Sequence, residues 1–189
     1  MAVVSIAEAW PAAGRPFTVD ELDRMPADGR RYELMDGVLV VSPRPTTGHQ
    51  EVAAELLVVL RTACPPGLRA LPEPAVQLAM DTEFDPDVVV VRSEQVGAAK
   101  ITEPPLLVVE VRSPSTALID LNRKKAAYEA FGVASYWIVV PDRGAPELIA
   151  FELRDGKYEQ TARVTGDEVF RAERPFPVDV LPTRLVAGL

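Results

Sequence analysis

Asp87 stands between Pro86 and a run of four valines, Val88 to Val91. Glu110 closes a second apolar run, Leu106 to Val109, and Lys124 follows on a stretch with helical spacing. Two carboxylates carried by neighbouring strands can hold one hard cation, and a nearby ammonium can stabilise an anion. That set is the minimum equipment for metal-assisted phosphodiester cleavage.

A carboxylate at the end of a buried strand is costly to desolvate unless a cation or donors meet it. Glu110 and Arg112 are two apart on an extended segment, so they share a face. The plainer alternative is a Glu110–Arg112 or Glu110–Lys124 ion pair at the sheet edge. Asp87 alone reads equally well as a turn aspartate. Asp81, Glu83, Asp85 and Asp87 alternate along the chain; only Asp87 is assigned to the site, and the other three to a solvated connection. Asp120, Lys124 and Tyr128 are four apart and share one helix side. Lys124 can run its stem along that packed side and present its ammonium to the sheet. Its alternative is a surface pair with Asp120, worth about 0.3–0.5 kcal/mol. Lys125 is expected in solvent. His49 is the only histidine. It falls in the first turn of a helix, where a structural hydrogen bond is its plainer role. The chain has no GxGxxG, Walker A, HExxH or GxSxG pattern. Dinucleotide, nucleotide-triphosphate, zincin and α/β-hydrolase readings are therefore set aside, and no nucleotide cofactor is expected.

Several elements must position these groups. Residues 1–16 read as a loose arm. Thr18 and Glu21 form a capping box ahead of a short helix that ends near Met25. Arg31 to Pro43 reads as a β-hairpin around Asp36-Gly37, a strong two-residue turn signal. Thr47 and Gln50 form a second capping box, opening a helix to about Cys64 with Val52, Leu56, Val59 and Leu60 as its stripe. Strands are predicted over Ala75 to Met80, Val88 to Val91 and Leu106 to Arg112. The last two are apolar throughout, as in strands covered on both faces. A helix from about Ala117 to Phe131 follows, with Gly132 as its C-cap. A strand over Ser135 to Val140 comes next, then two weaker strands joined at Asp155-Gly156. The proline-rich tail is expected to pack loosely or cap the sheet.

This order implies an α/β or α+β fold: a mixed sheet flanked by helices, with an N-terminal helix and hairpin. It implies one domain over residues 1–189, with a core at 17–142 and a C-terminal hairpin and tail at 143–189. A chain of 189 residues buries roughly 70% of its unfolded surface and needs no staples. Cys64 is the only cysteine, so no intrachain disulfide or zinc ribbon can form, and a reducing cytoplasm is the expected compartment. No apolar run reaches the roughly 18 residues of a membrane span, and the N-terminus lacks the basic start of a signal peptide. The net charge of −8 counts against tight non-specific DNA binding, which relies on Lys and Arg releasing counterions.

Taken in order, these residues resemble the PD-(D/E)xK nuclease superfamily. More narrowly, roughly Thr18 to Asp142 is similar to the bacterial Uma-type family, whose members carry a restriction-endonuclease label. The matching stretches are Tyr32-Glu33-Leu34-Met35-Asp36-Gly37, Ser42-Pro43 with His49, and Pro86-Asp87-Val88-Val89. Later come Val109 to Thr116, Asp120 with Lys124 and Tyr128, and Gly132-Val133 with Tyr136-Trp137. The resemblance implies a restriction-endonuclease-like fold and a Mg2+ site, with Mn2+ as a substitute. Asp87 and Glu110 would be ligands, the Val111 carbonyl a further one, and Glu33 a supporting acid. His49 matches a family position without an assigned role. The superfamily pattern wants lysine where Arg112 stands. Arginine can stabilise phosphate charge but is too basic to be a general base. Lys124 fits a position migrated to the following helix.

The expected activity is a Mg2+-dependent DNA endonuclease in which Asp87, Glu110, Lys124, Arg112, Glu33 and His49 form the site. DNA is the expected partner, and a homodimer is expected from exposed apolar strand and helix surface. Two alternatives stay open: a non-cleaving module that keeps a nuclease-like fold, and a metal-dependent hydrolase of small phosphate esters.

Overall fold

The computed structural model describes residues 14–112 and 118–189. A six-stranded sheet carries the molecule. Its strands are β3 (Leu68–Pro72), β6 (Val88–Arg92), β7 (Leu107–Val111), β8 (Ser135–Val140), β9 (Glu147–Arg154) and β10 (Lys157–Thr165), in the order β10-β9-β8-β7-β6-β3. β7 and β8 run parallel and every other pair is antiparallel. The parallel pair needs a crossover, which the helix Leu118–Phe131 supplies. A second sheet of four strands has the order β2-β1-β5-β4: β1 (Arg31–Met35), β2 (Val38–Ser42), β4 (Val76–Ala79) and β5 (Thr82–Phe84).

Alternation along the central strands divides the core in two. Val88, Val90, Val109 and Val111 face one side, with Val52, Leu56 and Leu60 from the helix Thr47–Ala63. Val89, Val91 and Val108 face the other, with Tyr128, Met35 and Phe84. The central sheet is therefore sandwiched between one helix and the second sheet with its partner helix. Helices are numbered α1 (Val19–Leu22), α2 (Thr47–Ala63), α3 (Leu118–Phe131) and α4 (Pro182–Leu185). Among the described residues no helix is long and apolar enough to cross a membrane.

The expected fold class stands, with several local corrections. The arm at residues 1–13 lies outside the described residues. The α2 N-cap is Thr46, one residue earlier than predicted, and its hydroxyl accepts from His49 N at 3.3 Å. β3 is not among the predicted strands, and the alternating acids across β5 read as a connection, not a strand. β5 overturns the solvated connection: Glu83 is buried on it and Asp85 is half-buried just after it. Lys125 is not simply solvated either, because its ammonium lies 3.7 Å above the centre of the Phe151 ring. The tail caps the sheet. β11 (Phe170–Ala172) pairs with β12 (Val178–Val180), and Phe170 meets Trp137 edge-on at 5.0 Å.

Candidate active site

Antiparallel pairing of β6 with β7, Val88 opposite Val109, sets the start of one strand beside the end of the other. Asp87, just before β6, and Glu110, near the end of β7, thereby become neighbours. Asp87 is 2% exposed and Glu110 6%. The Asp87 Oδ2 accepts from the Val111 N–H at 2.6 Å. This bond continues the ladder past its last strand pair and fixes the carboxylate in the plane of the sheet.

Glu110 points to the face that α3 covers. Its Oε1 accepts from the Tyr128 hydroxyl at 2.9 Å and from Lys124 Nζ at 3.2 Å. The four-residue spacing on α3 places those donors one turn apart, as the periodicity required. Lys124 Nζ also donates to Glu33 Oε1 at 2.8 Å. Glu33 reaches the cluster from β1, and its Oε1 further accepts from the Asp85 N–H at 3.0 Å. Lys124 lies over the Phe84 ring, 5.2 Å from its centre, so its stem is buried and its charge is shared by two carboxylates. The side chain of Asp120 lies outside the described residues.

His49 comes over the strand ends from the opposite layer. Its Nε2 lies 2.9 Å from the Val111 carbonyl and 3.4 Å from Asp87 Oδ2. Donation to the carbonyl requires the proton on Nε2. The structural hydrogen bond expected of a lone histidine is present, and it ties α2 to the end of β7.

Arg112 is exposed beyond β7, away from the buried cluster. The guanidinium at the site is Arg31, which alternation on β1 puts on the same face as Glu33. Arg31 stands 3.4 Å from Glu33 Oε1 and 3.7 Å from Asp87 Oδ1. Its Nε and Nη2 are buried without a hydrogen-bond partner, and so is Asp87 Oδ1. Arg31 also lines a cleft of about 390 Å3 with Arg30, Arg44, Glu83 and Asp85.

Burial and like charge dominate the electrostatics. Burial pushes the Glu110 carboxyl up to about 7, against the pull of Lys124 and with the push of Asp87 and Glu33. Burial also lifts Asp85 to about 6. Glu33 goes the other way: burial raises it, but Lys124 and Arg31 together bring it below the ordinary range. Burial tends to strip Lys124 of its proton, yet Glu110 and Glu33 outweigh that and raise it. For His49, burial is outweighed by Asp87, so it too is raised. Fully ionised, Glu33, Asp85, Asp87 and Glu110 face the permanent cations Arg31 and Lys124. Two negative charges remain, or one where His49 is protonated.

The Asp87 Oδ1, which faces Arg31 but accepts no hydrogen bond, fits a small divalent cation among these carboxylates. Among the described residues no three Asp, Glu, His or Cys side chains converge as a finished chelate. Mg2+ does not need one, since it binds through one or two carboxylates and keeps several waters. Asp87, Glu110 and the second lone pair of the Val111 carbonyl are the donors on offer.

Sequence reasoning missed Arg31, Asp85 and Tyr128 as members of this cluster. Tyr128 was legible in its spacing from Lys124. Arg31 was legible in its alternation with Glu33. Asp85 gave no separate signal.

The family model of Uma2, described as "Putative restriction endonuclease", matches residues 19–184. No curated protein matches the chain in sequence. A crystal structure from Anabaena variabilis, titled as that of a "putative nuclease belonging to DUF820", superposes with a TM-score of 0.71 at 19% identity, covering 91% of this chain and 98% of the other. At that identity the likeness speaks for the fold.

Proposed function

The chain belongs to the Uma2 family, and from that premise and its buried carboxylates we propose that it is a Mg2+-dependent DNA endonuclease. The observation that carries this reading is the meeting of Asp87 and Glu110 at the ends of adjacent antiparallel strands, where burial disfavours the charged form of Glu110. Asp87, Glu110 and the Val111 carbonyl would hold Mg2+ or Mn2+. Bound there, the cation would act as a Lewis acid on the scissile phosphate.

The remaining roles follow from the chain's own groups. Cleavage adds water to phosphorus and breaks one P–O bond, with negative charge growing on the phosphoryl oxygens. Lys124 keeps its proton, so it serves as a fixed positive charge and not as a base. Arg31 lines the cleft with a side chain 18% exposed, and its guanidinium, held between Glu33 and Asp87, would set its positive charge toward a phosphate oxygen. It takes the part that the sequence pattern gave to Arg112. Tyr128 and Glu33 orient Glu110 and Lys124, and His49 holds the Val111 carbonyl in place. A reducing cytoplasm suits the lone cysteine.

Purified protein should cut supercoiled, linear or single-stranded DNA only with Mg2+ or Mn2+, and Asp87→Asn and Glu110→Ala should abolish both cleavage and metal binding. Undiminished cleavage by Asp87→Asn would refute the assignment. The net charge of −8 favours a second reading, a non-cleaving binding module. That reading gains if no DNA form is cut and calorimetry finds no Mg2+ binding. Turnover of a chromogenic phosphodiester without DNA cleavage would point instead to small phosphate esters.

A further inference from the structure

Two loops meet beside Arg31. The first joins α1 to β1 and is built around Asp28. Its Oδ1 accepts from the Arg30 N–H at 3.0 Å, and its Oδ2 accepts from the Tyr32 hydroxyl at 2.9 Å. Gly29 between them takes a φ of 88°, which suits a residue without a Cβ. The second loop joins β2 to α2. Pro43 and Pro45 flank Arg44 there, and a residue before proline is confined to extended backbone. Arg44 Nε donates to the Gly29 carbonyl at 2.9 Å, so its side chain is laid across the first loop. A Cβ on Gly29 would stand 3.1 Å from that Nε and 3.3 Å from Nη2. The glycine thus leaves room for the guanidinium against the backbone.

Arg30, Arg31 and Arg44 line one cleft of about 390 Å3 with Leu22, Met25 and Tyr32. Its cations differ in their partners. Arg31 is held between Glu33 and Asp87. Arg30 Nε lies 3.6 Å from Asp28. Arg44 has no ion pair among the described residues, and its hydrogen bond engages Nε and leaves both Nη groups. Acids line the cleft as well. Asp23 and Glu83 share Lys100 Nζ, at 2.6 Å and 2.8 Å, Asp85 lies under the charge of Arg31, and Glu73 is exposed. What singles out an anion is Arg44. A guanidinium anchored through Nε presents the fork that donates to two oxygens of one phosphate.

We propose that this cleft holds the DNA phosphate next to the one being cut, with Arg44 as its principal contact and Arg30 beside it. Neighbouring phosphates of a strand are one nucleotide apart. Arg31 touches the buried cluster through Asp87 and also lines the cleft. A strand with its scissile phosphate at Asp87 therefore carries the next one toward Arg44. The place of the scissile phosphate rests on the endonuclease reading; phosphate binding in the cleft does not. The subsite also answers the net charge of −8, because counterion release depends on the phosphates contacted and not on the protein's total charge.

Fluorescence anisotropy of a short labelled single strand of DNA, without divalent metal and over a NaCl series, tests this. The proposal expects Arg44→Ala to bind about tenfold more weakly. It expects the slope of log affinity against log salt to shrink by about 0.7, the share of one phosphate contact. Arg44→Lys keeps the charge without the fork, so it should restore the slope but not the full affinity. Arg69→Ala removes the same charge from the far end of the sheet, where Arg69 is exposed opposite Val91, and should keep both. Equal weakening in Arg69→Ala, or a parent that binds no strand at any salt, would overturn the subsite. Cleavage by the parent with unaltered binding by Arg44→Ala would overturn the subsite and leave the endonuclease reading standing. Weaker binding with a smaller slope in Arg44→Ala, in a protein that cuts no DNA, would support the subsite and refute the endonuclease reading.

Discussion

Lys124 and Arg112 were both candidate cations, and burial separates them. Lys124 is 4% exposed and shared between Glu33 and Glu110, whereas Arg112 is exposed. Removing one partner from a buried charged group strands the other, at a cost of about 3–5 kcal/mol. Lys124→Met should therefore lower unfolding stability by about that much in urea titrations without metal. Arg112→Met should stay within about 0.5 kcal/mol of the parent. The same pair tests function. If Arg31 has replaced Arg112 at the phosphate, Arg112→Met keeps its cleavage rate and Arg31→Met loses most of it. A large rate loss in Arg112→Met alone would return the role to the strand end.

Caps and turns set the elements, and these were the most legible parts. The Glu21 carboxylate reaches back to the Thr18 N–H at 2.8 Å, as the capping box foretold. The hairpin turn has Asp36 at φ 50° and Gly37 at φ 74°, the left-handed pair that Asp-Gly favours. Glu21 also gives a pH prediction. The Thr18 hydroxyl, then Arg15, hold its carboxyl down at about 2, below an ordinary 4.5. A depressed folded value means stability that is present above pH 4.5 and lost as pH falls toward 2. Glu21→Gln keeps a capping amide but cannot titrate, so its stability should fall less steeply over that window in acid unfolding. An equal slope would show that the cap does not sense acid. Glu110 was legible because a charge inside an apolar run has to be explained by a partner. Lys124 was legible because helical spacing is local. Asp85 and the short β5 were not, because they belong to the cluster only through the packing of one sheet on another. Nothing in residues 82–85 announces that β1 will pair there. The backbone at Arg112 still pairs with β8, its N–H donating to the Val139 carbonyl at 2.7 Å, yet its side chain is exposed, which residue type and spacing alone do not tell apart from a guanidinium at the site.

At the scale of the whole molecule, stability and function pull the site in opposite directions. Two sheets and two long helices converge to bury carboxylates that would each be happier in water. Burial holds Glu110 near 7, which means its charged form is disfavoured in the protein without metal. Neutralising one of several like-charged buried carboxylates removes its desolvation cost and its repulsion with Asp87 and Glu33. Glu110→Gln keeps an acceptor for the Tyr128 hydroxyl, and Lys124 still has Glu33 at 2.8 Å. Without metal the variant should be at least as stable as the parent near neutral pH, where the charged form of Glu110 is disfavoured. Added Mg2+ should reverse the order. A ligand that binds only the folded state stabilises by about 2.7 kcal/mol at a hundred times its dissociation constant. The parent should gain in this way as Mg2+ rises, and the variant should not. Thermal unfolding of both proteins across a Mg2+ series reads the crossing directly. Parallel curves would mean that Glu110 does not bind the cation, and that its burial serves the ion pair with Lys124 alone. A crossing would show that the strain of an under-compensated cluster is what the cation relieves, tying the fold's least favourable feature to its chemistry.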